Sequence, residues 1–169
     1  MTTKKITTFI LTTLFTLSAV LALSAQPQAV KPVKPGTLEI TPDLEVTIEA
    51  FENANGTGKI SNGGTTVYSG GAPKNYVRFT IKNKGSVKAE NFTYKMVVRC
   101  NGNKVYDPPA EKLSLNAGES KSFPLVPVTL AGITNNVEAD ILANIMRLMK
   151  EENMANNKAE FKFTGKVVQ

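Results

Sequence analysis

The stretch Leu44–Phe51, LEVTIEAF, sets Leu44, Val46, Ile48 and Ala50 against Glu45, Thr47, Glu49 and Phe51. A two-residue repeat puts alternate side chains on opposite sides of an extended chain, so this segment reads as a strand with one mostly apolar and one mostly polar face. The same rhythm returns in YVRFTIKN (Tyr76–Asn83), and NFTYKMVVRC (Asn91–Cys100) follows it; Phe161–Val168 reads as the last strand. Between these runs lie clusters of Gly, Asn and Pro, which supply left-handed turn positions and interrupt ladders. NANGTGKISNGGTTVYSGGAPKN leaves room for two short strands at most, near Gly58–Ser61 and Thr65–Tyr68, between hairpin turns. NGN at Asn101–Asn103 is the sharpest turn signal, and Pro108 with Pro109 forbids a central strand after KVYD. Tyr76–Asn83 and Asn91–Cys100 are expected to form a hairpin-like unit. LSLNAGESKSFPLVPV is expected to form another pair about Gly118, its second half held to an edge or bulge by Pro124 and Pro127. Runs of this length and spacing predict an antiparallel all-β domain.

One segment reads two ways. In NNVEADILANIMRLMKEEN, Asn135 with Glu138 resembles a helix cap, and Ile141, Leu142, Ile145, Leu148 and Met149 recur at helical spacing. Yet Val137, Ala139, Ile141, Ala143 and Ile145 also alternate strictly, and a sandwich lacking its penultimate strand would expose a long edge. The second argument favours a strand over Val137–Ala143, followed by a turn or short helical piece near 145–152.

The N-terminus sets the compartment. Lys4 and Lys5 precede an apolar run, Ile6–Leu23, and small residues then offer a cleavage point after Ala25. This is the layout of a secretory signal peptide, residues 1–25, so the protein is expected to be secreted or held in the periplasm or cell envelope, with no membrane span after cleavage. Residues 26–37 contain QPQAVKPVKPG, whose prolines favour an extended tether, and residues 38–169 are left for one domain. The leader holds two of the 20 basic residues and none of the 14 acidic ones, so its removal lowers the formal charge from +6 to +4. That charge is spread along the chain as isolated lysines, which does not indicate a nucleic-acid partner.

Cys100 is the single cysteine, so no internal disulfide can form and stability has to come from core packing; its position at the end of an apolar run suits a buried thiol. The chain has no histidine. That removes the usual general base, the usual activator of Ser or Cys nucleophiles and the commonest zinc ligand, and no pair of acids stands out as catalytic. An enzyme is not expected. GTGKISNGG lacks the spacing and the Lys-Ser/Thr ending of a phosphate-binding loop and is better read as hairpin turns.

Four stretches carry a resemblance when taken in order: PDLEVTI from Pro42, VRFTIKNKGSVKAENFTYKMVV with Asn83 and Gly85, LSLNAGES with Gly118 and Glu119, and EENMANN, Glu151–Asn157. Together they resemble the cell-adhesion-related domain found in bacteria, the CARDB family of immunoglobulin-like modules, over nearly all of residues 42–168. The resemblance implies an immunoglobulin-like β-sandwich of seven to nine strands and adhesion-related company. In that family the penultimate strand normally ends in Asp, with a Glu seven residues later and then a pair of Asn. Here Asn144 takes the Asp place, Glu151 the Glu place, and Asn156 with Asn157 form the pair, while Met154 replaces a usual acid and the IMRLMK connection is unusually apolar.

EENMANN could bind a ligand or hold a corner shut. Asn side chains accept backbone N–H bonds and tolerate left-handed backbone, so Glu151, Asn153, Asn156 and Asn157 are read as structural, like the turn residues Asn83, Gly85 and Gly118. The weaker alternative is calcium held by Asn144, Glu151 and Glu152, in a set short of the oxygens this ion requires. The expected function is a non-catalytic interaction module that binds a protein or glycan through loops or a sheet edge. Its candidate contacts are Tyr68 and Tyr76 about the Gly-rich region, and Ile145, Met146, Leu148 and Met149 in the apolar connection. A structural spacer or self-associating envelope component is the alternative, with a hydrolase behind both.

Overall fold

The computed structural model describes residues 40–151 and 153–168, and the expectations for the signal peptide and tether, residues 1–37, lie outside them. Eleven strand segments build two sheets among the described residues. The first sheet runs β2 (Lys59–Ile60), β1 (Leu44–Phe51) and β4 (Lys74–Asn83), with β8 (Ser120–Ser122) and β9 (Val126–Thr129) both pairing with β4. The second runs β3 (Thr65–Ser69), β11 (Lys158–Val168), β10 (Thr134–Leu142), β5 (Ala89–Cys100) and β6 (Asn103–Tyr106), with β7 (Glu111–Leu115) also on β5. Several short segments are pieces of one course: β8 and β9 follow β4 at Thr80–Lys82 and Lys74–Val77, separated by the Phe123–Pro124 break. Likewise β6 and β7 take Val98–Cys100 and Ala89–Tyr94 of β5, separated by Pro108–Pro109. Proline cannot donate to a ladder, which is why it falls at these breaks and, as Pro127, on the edge of the first sheet.

The predicted all-β sandwich is present. Phe79, Ile81, Val77 and Leu44 from the first sheet and Val98, Ile141 and Val137 from the second are fully or almost fully buried in one apolar cluster. Burying each such side chain contributes on the order of 2 kcal/mol, so the cluster supplies what a disulfide-free chain needs. Cys100 belongs to this cluster, and burial pushes its thiol above the ordinary value, away from the thiolate that would react.

Three expectations are corrected. Tyr76–Asn83 and Asn91–Cys100 are not hairpin partners: β4 pairs with β1 and β5 with β10, so residues 84–88 cross between sheets. The pair about Gly118 separates in the same way, β7 going to β5 and β8 to β4. In both cases the turn residues are legible, but the ladder partners are distant in sequence. The sandwich is not wholly antiparallel, because β3 runs parallel to β11 from Thr65↔Thr164 to Ser69↔Val168. Near 145–152 the expected turn is present, the described residues there forming bends and turns, and a short helical turn follows at Ala155–Asn157.

The ambiguous segment is a strand. β10 pairs with β11 over nine positions on one side and with β5 over six on the other. Two ladders and a buried row of Val137, Ala139 and Ile141 outweigh the helical propensity of the same residues. Asn135, whose spacing to Glu138 looks like a helix cap, instead bonds Gly132 and Gly165 from within the strand.

Gly85 makes the first inter-sheet crossing possible. A Cβ there would stand 2.6–2.7 Å from Asp43 N, Pro42 Cα and Thr41 O, all backbone atoms at the entry to β1. Gly85→Ala is expected to destabilise the protein by about 2 kcal/mol, because backbone atoms cannot swing aside as a flexible side chain would. The midpoint of urea unfolding measures this, and an unchanged midpoint would show that the crossing has slack.

Candidate functional site

The EENMANN stretch lies where β10 leaves its sheet and β11 begins. Glu151, 8% exposed, takes a backbone N–H from the first residue of β1 and side-chain N–H groups from two asparagines. Its Oε2 accepts from Leu44 at 2.8 Å, while Oε1 accepts from Asn144 Nδ2 at 2.6 Å and Asn157 Nδ2 at 2.7 Å. One carboxylate thus ties together the start of β1, the end of β10 and the start of β11. Asn144 sits at φ +48°, a backbone position that asparagine tolerates, and Ala143 N–H bonds Asn157 O at 2.8 Å. Asn156 Nδ2 reaches Asp43 Oδ1 at 2.9 Å, and Asn153 Oδ1 accepts from Ala155 N–H, which turns the chain into the helical turn Ala155–Asn157.

A second anchor lies across the same end of the sandwich. Asn83 is fully buried; its Oδ1 accepts from Gly85 N–H and Asp43 N–H, and its Nδ2 donates to Val87, Leu115 and Asn116 carbonyls. Gly118, at φ +74°, donates its N–H to Asn83 O. The two inter-sheet crossings are therefore joined through one side chain.

The corner's chemistry fits hydrogen bonding and does not fit calcium. Asn144 and Asn157 present N–H groups to Glu151, so the carboxylate faces three donors where a cation would need bare oxygens. Two amide oxygens, Asn156 Oδ1 and Asn157 Oδ1, are buried without a donor among the described residues, but they are neutral and far short of the roughly six to eight oxygens calcium takes. Glu152 lies outside the described residues, and Asp140, on the solvent side of β10, pairs with Arg99. No group of three or more Cys, Asp or Glu able to hold a metal occurs among the described residues.

Next to this corner is an apolar groove of about 680 Å³, bounded by Pro42, Val87 and Phe92 on one side and Met146, Leu148 and Met149 on the other. The connection forming its second wall is held tightly. Asn144 Nδ2 donates to Met149 O, Asn144 Oδ1 accepts from Met149 N–H, Arg147 N–H bonds Asn144 O, and Ile145 N–H bonds Thr93 O. These bonds hold Met146 at 66% and Leu148 at 84% exposure, while Ile145 and Met149 are half-buried and Met149 packs on the core. Pro42, Val87 and Phe92 carry no sequence signal as a wall, because Pro42 lies some 45 residues before the Val87–Phe92 stretch.

The two tyrosines are not brought together. Tyr68 lies on β3 of the second sheet, half-buried, its hydroxyl accepting from Asn75 Nδ2 at 2.5 Å. Tyr76 lies on β4 of the first sheet, also half-buried.

The fold is that of a CARDB domain. A crystal structure of the CARDB domain of a Pyrococcus furiosus protein, in complex with di-metal ions, superposes with a TM-score of 0.50 at 19% sequence identity, covering 76% of this chain and 90% of that one. A solution NMR structure of the CARDB domain from the same protein gives 0.47 at 19% identity, covering 76% and 96%. No protein-family model matches the sequence, and a search of curated proteins finds no match.

Proposed function

We propose that this protein is an exported, non-catalytic interaction module of the cell envelope or its surroundings, which presents the Ile145–Met149 connection to a partner. The observation that carries the reading is the fixed display of Met146 and Leu148. Apolar side chains left in water forgo the gain of burial, yet Asn144 holds this loop by bonds to both Met149 and Arg147. A loop that was merely slack would not need that clamp. The leader-like N-terminus supports export.

Two of the acids are engaged as ion-pair partners. Asp107 is held down at about 2 by hydrogen bonds from Lys104 and Lys95, and Glu49 is lowered chiefly by Arg78 and then by Lys59. A general acid at neutral pH needs the opposite shift, so Asp107 and Glu49 do not suit that role. The corner works without a metal in this reading, because its carboxylate is already satisfied by N–H donors. The di-metal complex of the Pyrococcus furiosus domain belongs to that protein's own residues.

The test is fractionation of cells producing the wild type and the double variant Met146→Glu, Leu148→Glu. The wild type should be exported, begin at Gln26 after processing, and stay with its partner on the envelope. The variant should be exported equally and unfold at the same urea concentration, since both side chains are already solvated, but be released at least tenfold more readily. Equal retention of the two would reject the connection as the interaction surface.

A further inference from the structure

We infer that the Met146–Leu148 tip docks on an anionic lipid bilayer surface, a proposal that rests on the reading of this connection as the interaction surface and names its partner. Three observations lead there. The first is the order of side chains at the tip: Arg147, at φ +51°, separates the two most exposed apolar residues of the connection, so cationic and apolar groups emerge from one turn. Interfacial segments combine these two properties, the apolar groups entering the boundary between headgroups and acyl chains and the cations meeting lipid phosphates.

The second observation is the charge around the groove. Lys88 and Lys112 line it together with Met146 and Leu148, and the one acid among the lining residues, Glu90, is paired with Lys88 at 2.9 Å. With Arg147 the rim is net positive, which complements an anionic surface and opposes a cationic one.

The third observation separates a bilayer from a protein partner. Part of the polar surface beside the tip is already engaged: the Asn144 side chain bonds both backbone groups of Met149 as well as Glu151, and Thr93 O accepts from Ile145 N–H. The tip therefore offers apolar side chains and diffuse positive charge with few directed hydrogen bonds. A fluid bilayer asks for that combination, whereas a protein interface typically adds about ten direct hydrogen bonds to its apolar contacts. Leu148 and Met146 would enter only the interfacial layer, and no helix among the described residues is long and apolar enough to cross a membrane.

The chain contains no tryptophan, so Leu148→Trp creates a single fluorescent reporter at the tip. The protein would be produced with its own leader, recovered after export, and mixed with vesicles of phosphatidylcholine alone or with one third phosphatidylglycerol. The proposal expects a blue shift of the reporter's emission with the phosphatidylglycerol vesicles only, weakening as salt is raised. In co-sedimentation with the same vesicles, Arg147→Glu and Met146→Glu in the otherwise unaltered chain should each reduce binding by about tenfold. No shift with anionic vesicles, or equal shifts with both compositions, would overturn the proposal. A shift produced by soluble poly-glutamate and not by vesicles would also overturn it, while leaving the connection as the surface for an acidic protein. Retention on the envelope that ignores the Glu substitutions would instead remove the underlying reading.

Discussion

Glu151→Ala is expected to cost about 4 kcal/mol of stability, the largest effect of any single substitution considered for this chain. The carboxylate is nearly buried and accepts from Leu44 N–H, Asn144 Nδ2 and Asn157 Nδ2. Alanine would leave all three donors facing a small cavity, and each stranded donor costs about 1–3 kcal/mol, partly offset by no longer burying a charge. Glu151→Gln should lose roughly half as much. Its amide oxygen can still serve the two asparagines, but its NH2 group would then face Leu44 N–H, donor against donor. Urea unfolding measures both variants, and the ordering Ala worse than Gln is the sharper part of the expectation. Millimolar calcium or a chelator should leave the wild-type midpoint in place. A large calcium-dependent rise that disappears in Glu151→Gln would show that the corner holds a cation after all.

Asn83→Ala should cost about 3 kcal/mol. This side chain accepts from Gly85 at 3.1 Å and Asp43 at 3.3 Å, and donates to Val87, Leu115 and Asn116 carbonyls at 2.8–3.1 Å, all from a position with no exposure. Asp is nearly the same shape and would keep the two accepted bonds, yet it would point an oxygen at three carbonyl oxygens. Asn83→Asp is therefore expected to be at least as damaging as Asn83→Ala near neutral pH. Should Asp prove nearly neutral, the three donated bonds would contribute little, and the crossings would be held by Gly85 and Gly118 alone. Neither substitution touches Met146 or Leu148, so at matched stability both variants should keep the binding behaviour of the tip.

These two anchors show how far local chemistry can be read. That Asn83 and Gly85 sit at a turn, and that Glu151, Asn156 and Asn157 lock a corner, follows from the ability of Asn to bond nearby backbone and of Gly to allow close approach. That Glu151 reaches Leu44, 107 residues away in the chain, does not. Nothing in a single sequence specifies which backbone N–H a buried carboxylate will meet. The same limit applies to the groove, whose near wall joins Pro42, Val87 and Phe92 only after the first crossing has brought the two sheets together.

Alternation in Leu44–Phe51 and Tyr76–Asn83, the Gly, Asn and Pro breaks between runs, and the lone cysteine were enough to specify an all-β domain with a disulfide-free core, because side-chain period and turn geometry are local properties. The partners of each strand were decided by the tertiary structure. Tyr76–Asn83 and Asn91–Cys100 are neighbours in sequence but enter different sheets, β4 pairing with β1 and β5 with β10, so that their apolar faces meet in one core between the sheets. The 134–142 segment carries both a helical and a strand period, and it is a strand because β5 and β11 stand ready on either side to satisfy its backbone. The exposure of Met146 and Leu148 was decided the same way: β10 stops at Leu142, and the Asn144 clamp turns the following residues outward.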